Sequence, residues 1–280
     1  MSNLSDDETP YNNKNILISE NDVNKILKRF GIELDCNNIN LYRKSLVNKS
    51  YVTRKNENFV TGNENCPEDC LPLQEESNER FEFLGDSVLS TTVANYLYER
   101  YPDQQEGFLT KMRSKLVNGY MLAELCRHVG LNKWVIISKQ IEDNEGRDNY
   151  KILEDIFEAF ICAIFMDFNM IKSDKKLDIS GLGFQIAEKW IINVIEDKVD
   201  FAQLIKQNKN YKDKLIKYFQ HTYLKLPKFY ENDIKIVNGK KIFTIIIKND
   251  EQIIGIGKGD TKKRAEQDAS EKALQYYNEI

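Results

Sequence analysis

A mainly α fold, an all-α body followed by a small α-β-β-β-α module, is predicted by three observations. Apolar residues recur at helical spacing from residue 20 to about residue 199, and nothing in that stretch alternates convincingly with period two. After residue 209, three runs rich in Ile, Phe and Tyr replace the pattern, the first two joined by Asn238-Gly239, a strong hairpin signal. Charge shifts at the same place: residues 209–280 hold 15 Lys+Arg and 10 Asp+Glu, a balance of +5, against 25 and 34, or −9, for the remainder. An acidic body beside a basic module fits one part that collects cations and another that collects phosphates; ordinary charge scatter over two domains is the bland alternative.

Taken in order, "MSNLSDDETPYNNKN" is polar with no apolar h-region, so residues 1–15 read as a disordered tail and not a signal peptide. Helical periodicity runs through 20–34 and 38–52. A polar stretch, 53–76, carries the loop signals of "TGNENCPEDCLP". Helices are predicted at about 77–100, 106–129 and 150–168, a loop at 172–183 and a helix at 184–199. These place one domain at 16–204 and a second at 205–280. In the second, "YKDKLIKYFQHTY" is helical, and "PKFYENDIKIV", "KKIFTIIIK" and "QIIGIGKG" read as strands. The last helix, "TKKRAEQDASEKALQYY", puts Ala265, Ala269 and Ala273 on one face, small enough to lie close on a sheet. The strongest apolar run, "AFICAIFM" at 159–166, is far short of a membrane span, so no membrane partner is expected. Five cysteines without framework spacing suggest a reducing, intracellular compartment, cytoplasm or nucleus left open.

The chemistry begins with "NERFEFLGDSVL", residues 78–89. Glu79 and Asp86 are seven residues apart, nearly the same angular position on a helix, and Glu82 lies between them. In "ILEDIFEAFICAIF", Asp155 and Glu158 sit three apart among Ile156, Phe157, Phe160 and Ile161. Side chains three or four apart have Cβ atoms about 5–6 Å from each other, close enough for their oxygens to converge on one small cation. Helices so apolar should be buried, and buried carboxylates must be paired or neutralised. Two like charges about 5 Å apart repel by roughly 3 kcal/mol at an effective dielectric near 20. Either neighbouring lysines supply the opposing charge in a structural network, or a pair of hard divalent cations does; Mg²⁺ or Mn²⁺ suits oxygen ligands.

"NERFEFLGDSVL" resembles the ribonuclease III signature. "EGFLTKMRSKLVN" and "LEDIFEAFICAIFMD" are similar to that family's intervening helix and second acidic motif, in the same order and spacing. The end of the chain resembles a double-stranded-RNA-binding domain. The resemblance, over roughly residues 20–278, implies a divalent-metal-dependent endoribonuclease of double-stranded RNA, acting as a homodimer with one site per chain and leaving 5′-phosphates, 3′-hydroxyls and short 3′ overhangs. It places the four active-site acids at Glu82, Asp86, Asp155 and Glu158. Glu82, Asp155 and Glu158 would hold metal directly, and Asp86 would orient the attacking water or another ligand, with Asp86 and Glu158 carrying catalysis. Glu79 and Glu106 are implied as supporting acids. Phe83 falls on the family's dimer contact, where an apolar side chain enters a pocket of the partner subunit; an ordinary core Phe is the alternative. His128 and His221 lie beside neither motif, which argues against a histidine general base.

In the basic module, Lys262, Lys263 and Arg264 occupy a helix's first turn, where the macrodipole disfavours cations unless an anionic partner is present. They resemble the family's lysine-rich, phosphate-binding turn. Gln220 is retained, but Lys217 stands where a Glu is common, and the usual Gly-Pro-x-His hairpin loop is replaced by "NGKK". Lys240 and Lys241 are expected to substitute with phosphate contacts, and the isolated module should bind duplex RNA more weakly and with more salt sensitivity. A non-catalytic protein that holds or presents duplex RNA is the rival reading. "CPEDC" (66–70) has a metal-like look without a second cysteine pair, "LVNKS" departs from the family's Leu-Thr-His-x-Ser, and Cys162 replaces a usual Gly. Lys111, Arg113 and Lys115 either touch RNA or form a solvated helix face.

Overall fold

The structure, a computed structural model, describes residues 9–53, 66–169, 182–206, 210–237 and 240–279. The chain forms two compact units, one ending at Asp200 and the next beginning at Phe201, four residues before the predicted 204/205 boundary.

The first unit is helical: α1 Glu20–Arg29, α2 Ile39–Ser45, α3 Glu79–Arg100, α4 Glu106–Leu116, α5 Gly119–Val129, α6 Lys139–Asp143, α7 Tyr150–Asn169 and α8 Leu182–Lys198. Its centre is α7, buried on nearly every side, including Phe157, Phe160, Ile161 and Ile164. The ring of Trp190 from α8 packs 5.7 Å from Phe157 and 5.6 Å from Phe160. Asp167, also buried, accepts hydrogen bonds from Asn37 N, Asn38 N and the Tyr42 hydroxyl, tying the start of α2 to the end of α7.

Four sequence expectations need correcting. The helix expected over 20–34 stops at Arg29, and Gly31 turns the chain away with a left-handed φ of 78°. That expected over 38–52 stops at Ser45, because Val47 then lies extended against Ile136. The helix expected over 106–129 is two: Asn118 has extended backbone, its Oδ1 accepts from Met121 N at 3.0 Å and its Nδ2 donates to Lys115 O at 2.7 Å. One side chain thus caps the end of α4 and the start of α5. The fourth concerns the tail expected over 1–15. Residues 1–8 lie outside the described residues, but Tyr11, Asn12 and Asn15 are buried. Tyr11 packs with Val47, Tyr51, Leu73 and Ile136. Asn15 exchanges hydrogen bonds with the Ile137 backbone in both directions, and Asn12 Nδ2 donates to Ile137 O at 3.1 Å. The segment is polar because its amides complete another segment's backbone pairing.

Of the polar stretch 53–76, residues 54–65 lie outside the described residues. The remainder is anchored by backbone pairing of Gln74 with Tyr51 and Thr53, while Cys66 and Cys70 pack against the Tyr11 cluster. The expected loop 172–183 likewise falls outside the description up to residue 181.

The second unit contains α9 Phe201–Lys206, α10 Tyr211–Tyr223, β1 Lys228–Val237, β2 Lys240–Asn249, β3 Gln252–Gly259 and α11 Lys262–Tyr276. The sheet is antiparallel in order β1-β2-β3. Val237 pairs with Lys240 across residues 238–239, which themselves lie outside the described residues. Leu215 and Phe219 of α10, Ile245 and Ile247 of β2, Ile254 of β3 and Ala265, Ala269 and Ala273 of α11 form its core. The alanines allow close approach: a Cβ added at Gly257 would lie 2.1 Å from Ala269 N.

Candidate functional site

Gly85 sets the geometry of the acids. A Cβ there would stand 1.8 Å from the carbonyl oxygen of Glu158, so α3 and α7 touch backbone to backbone at this crossing. Glu82 and Asp86 flank Gly85 on α3, while Asp155 and Glu158 occupy the facing turn of α7. Oxygens of Glu82, Asp155 and Glu158 lie within 4.8 Å of one another, the one such group of three among the described residues. Asp86 is exposed beside them and accepts from Ser90 Oγ at 3.4 Å; its charge acts on Glu158.

The cluster is electrostatically loaded. Burial pushes the Glu158 carboxyl up to about 8, helped by the charges of Asp86, Glu154 and Glu82 and opposed by Lys151. Burial, then the neighbouring Asp155, also raises Glu82 above the ordinary carboxylate range. Lys151 is the counter-charge: its Nζ stands 2.8 Å from Asp155 Oδ1, 3.4 Å from Glu154 Oε2 and 3.8 Å from Glu82 Oε1. It sits at the rim, 65% exposed, and one ammonium faces Glu82, Glu154, Asp155 and Glu158. The lysine network considered from sequence is therefore present in part, yet it leaves the acids converged instead of drawn apart. Convergent, partly buried oxygens with excess negative charge suit a hard divalent cation.

The expected supporting acids are placed differently. Glu79 faces Lys49 at 3.4 Å and adds to the field on Glu82. Glu106 begins α4, accepts from Thr110 Oγ1 at 2.6 Å and does not join the cluster. Phe83 is 78% exposed on α3, which removes the core reading. His128 contacts Asp197 at 2.8 Å, away from the acids. Sequence reasoning missed Lys151 and Glu154. Their signals were there: Lys151 stands four residues before Asp155, and Glu154 immediately precedes it.

In the second unit, Lys262, Lys263 and Arg264 do form the first turn of α11, behind Thr261, whose side chain accepts from Arg264 N. All three are exposed; Lys262 reaches Glu231 at 3.2 Å, and Arg264 pairs with Asp260. Lys241 is exposed at the start of β2, adjoining Lys240. On α10, Gln220 is exposed and lines a shallow hollow with Lys217, His221 and Leu224.

Comparison with known proteins agrees with both sets of features. The model of the ribonuclease III domain matches residues 79–169, and that of the double-stranded RNA binding motif matches 211–277. Ribonuclease 3 of Borreliella afzelii is 32% identical over 250 residues, covering 89% of this chain and 89% of that protein. A probable ribonuclease 3 of Acanthamoeba polyphaga mimivirus is 30% identical over 271 residues, 95% of this chain; the chain spans about half of that protein, 47%. The solved nuclease domain of ribonuclease III from Campylobacter jejuni aligns with 64% of this chain and 97% of its own, at 26% identity and a TM-score of 0.47. Among the described residues, no helix is long and apolar enough to cross a membrane.

Proposed function

This chain belongs to the ribonuclease III family and is an endoribonuclease of double-stranded RNA; we propose that its chemistry is carried by Glu82, Asp86, Asp155 and Glu158 with Mg²⁺, Mn²⁺ being able to substitute. The observation that supports this most is the meeting of Glu82, Asp155 and Glu158 within 4.8 Å at a crossing that only glycine permits. When bound, divalent ions sharpen the attacking water, neutralise phosphoryl oxygens and stabilise the departing ribose oxygen. Glu158, the most buried of the acids, would hold such an ion through its carboxylate oxygens together with Glu82 and Asp155. Asp86, exposed at the mouth, orients the water for in-line attack. Lys151 holds Asp155 from the rim. The products are a 5′-phosphate and a 3′-hydroxyl.

A protein that merely held duplex RNA would gain nothing from burying Glu158 among like charges. Incubating long duplex RNA with the full chain and Mg²⁺ should give short duplexes with 5′-phosphates, and EDTA should stop the reaction. Binding without cutting in Mg²⁺ would favour the non-catalytic reading.

Two strands need two sites, and a homodimer supplies them. Phe83 is well suited to that interface: burying one such side chain is worth about 2–3 kcal/mol, and each partner would bury one. Phe83→Asp should convert dimer to monomer in sedimentation experiments and abolish paired cuts across the duplex. A variant that stays dimeric would refute the contact.

A further inference from the structure

Beside the acids lies a feature that the cutting chemistry leaves unused. Tyr120, second residue of α5, and Tyr150, first residue of α7, face each other with ring centroids 5.3 Å apart and planes tilted by 33°. Both are open to solvent, 62% and 48% exposed. The Arg127 guanidinium stands 4.8 Å from the centre of the Tyr150 ring, itself held by Glu124 at 2.8 Å and by donation to Asp148 O at 2.6 Å. No hydrogen bond among the described residues engages either phenol hydroxyl.

The pair's position ties it to the reaction. Tyr150, Glu154 and Glu158 follow one another at four-residue steps along one stripe of α7. A little over two turns of helix separate Tyr150 from Glu158, about 12 Å of axis. On the other side, a Cβ at Gly119 would come 2.7 Å from Glu154 Oε2, so the chain leading into Tyr120 lies against the acid cluster's edge. The aromatic pair thus lies within the reach of a few nucleotides on either side of a phosphate held at the acids.

We propose that Tyr120 and Tyr150 form a ribose subsite for a nucleotide flanking the cut, their hydroxyls meeting a 2′-hydroxyl and their rings the sugar edge. This rests on the nuclease reading above. The duplex offers no unstacked base inside the helix, whereas its wide minor groove displays 2′-hydroxyls, each both donor and acceptor. Two phenols without a protein partner match that chemistry, and the fixed arginine behind Tyr150 holds the platform rigid.

The test uses the full chain, Mg²⁺ and a duplex with one defined cleavage site, in which single 2′-deoxy nucleotides are scanned through the flanking positions. For the wild type, one deoxy position among the few nucleotides flanking the cut should lower kcat/KM roughly fivefold, the worth of one ordinary hydrogen bond. The Tyr120→Phe Tyr150→Phe double variant keeps both rings and should cut the all-ribose duplex about fivefold more slowly, with that deoxy penalty gone. If the double variant keeps the wild-type penalty, or the wild type shows none, the subsite is wrong and the pair only staples α5 to α7. A stronger effect from a flanking bulge than from any deoxy sugar would assign the rings to an unpaired base and also overturn it. Failure to cut the all-ribose duplex at all would instead fell the nuclease reading, and this inference with it.

Discussion

Glu158→Gln is expected to lower cleavage of duplex RNA by roughly a hundred- to a thousandfold or more, the scale seen when a group that stabilises transition-state charge is lost. The amide nearly matches the carboxylate in shape, so the fold and the basic module should be untouched. Duplex binding measured by gel shift should stay within about twofold, separating cutting from holding. A second readout follows from the buried carboxyl. Its folded value is near 8, against an ordinary 4.5, because burial and the neighbouring acids favour the protonated form. A raised carboxylate value means that the native state binds the proton more tightly than the unfolded chain. That stabilisation is complete below about pH 4.5 and is lost as pH climbs through 8, with Glu82 contributing in the same sense. Metal-free wild-type protein should therefore lose stability on the order of a few kcal/mol between about pH 5 and 8. Mg²⁺ should restore it, since a cation favours the deprotonated oxygens. The Gln variant should show a much flatter profile and a smaller response to Mg²⁺. Superimposable wild-type and variant melting curves across that range would contradict the placement of Glu158.

Gly85→Ala should be more damaging to the fold than any of the acid substitutions. The added carbon would meet the Glu158 carbonyl oxygen at 1.8 Å and its carbonyl carbon at 2.6 Å. Both belong to the backbone of the most buried helix in the unit, so no side-chain rotation relieves the clash. Overpacking of this kind costs about 1–3 kcal/mol, occasionally more, and a rigid backbone neighbour puts Gly85 at the upper end. The crossing must open, and acids displaced by about 1 Å would cost cleavage about a hundredfold. Thermal melting, Mg²⁺ titration and cleavage rate should all fall together. Gly107→Ala is the control: nothing lies within 4 Å of a Cβ there, and a helical position should gain about 0.5–1 kcal/mol from Ala. A Gly85→Ala protein as stable as wild type would mean that the rods do not touch where the structure places them.

Much of this was legible from residue spacing. The change to an α+β module was visible because, after one more helix, runs rich in Ile, Phe and Tyr joined by Asn238-Gly239 follow in the part of the chain where the charge also switches. The acid stripe was visible because carboxylates among Phe and Ile demand an explanation. What spacing could not say was which face of α3 points outward, since a helix apolar all round has no obvious dry side. Phe81 is buried and Phe83, two residues on, is exposed. Nor could it show the break between α4 and α5, where Asn118 reads as one polar residue in an otherwise continuous pattern. The ordered segment at 9–15 was hidden for the opposite reason: its contacts are made by asparagine amides, which composition counts as loop. Nothing in the spacing singles out Gly85, and only the backbone of α7 facing it reveals its purpose.

The tight crossing at Gly85 and the proton held by Glu158 pull in opposite directions under random mutation. Filling the glycine harms folding itself, so any role that needs the folded domain, cutting or holding, is lost with it. Neutralising the glutamate relieves repulsion, so the slope of thermodynamic stability runs toward an inert descendant. Only continued demand for cleavage keeps that acid in place, and a retired copy of this domain should be recognised by an intact glycine beside a missing glutamate.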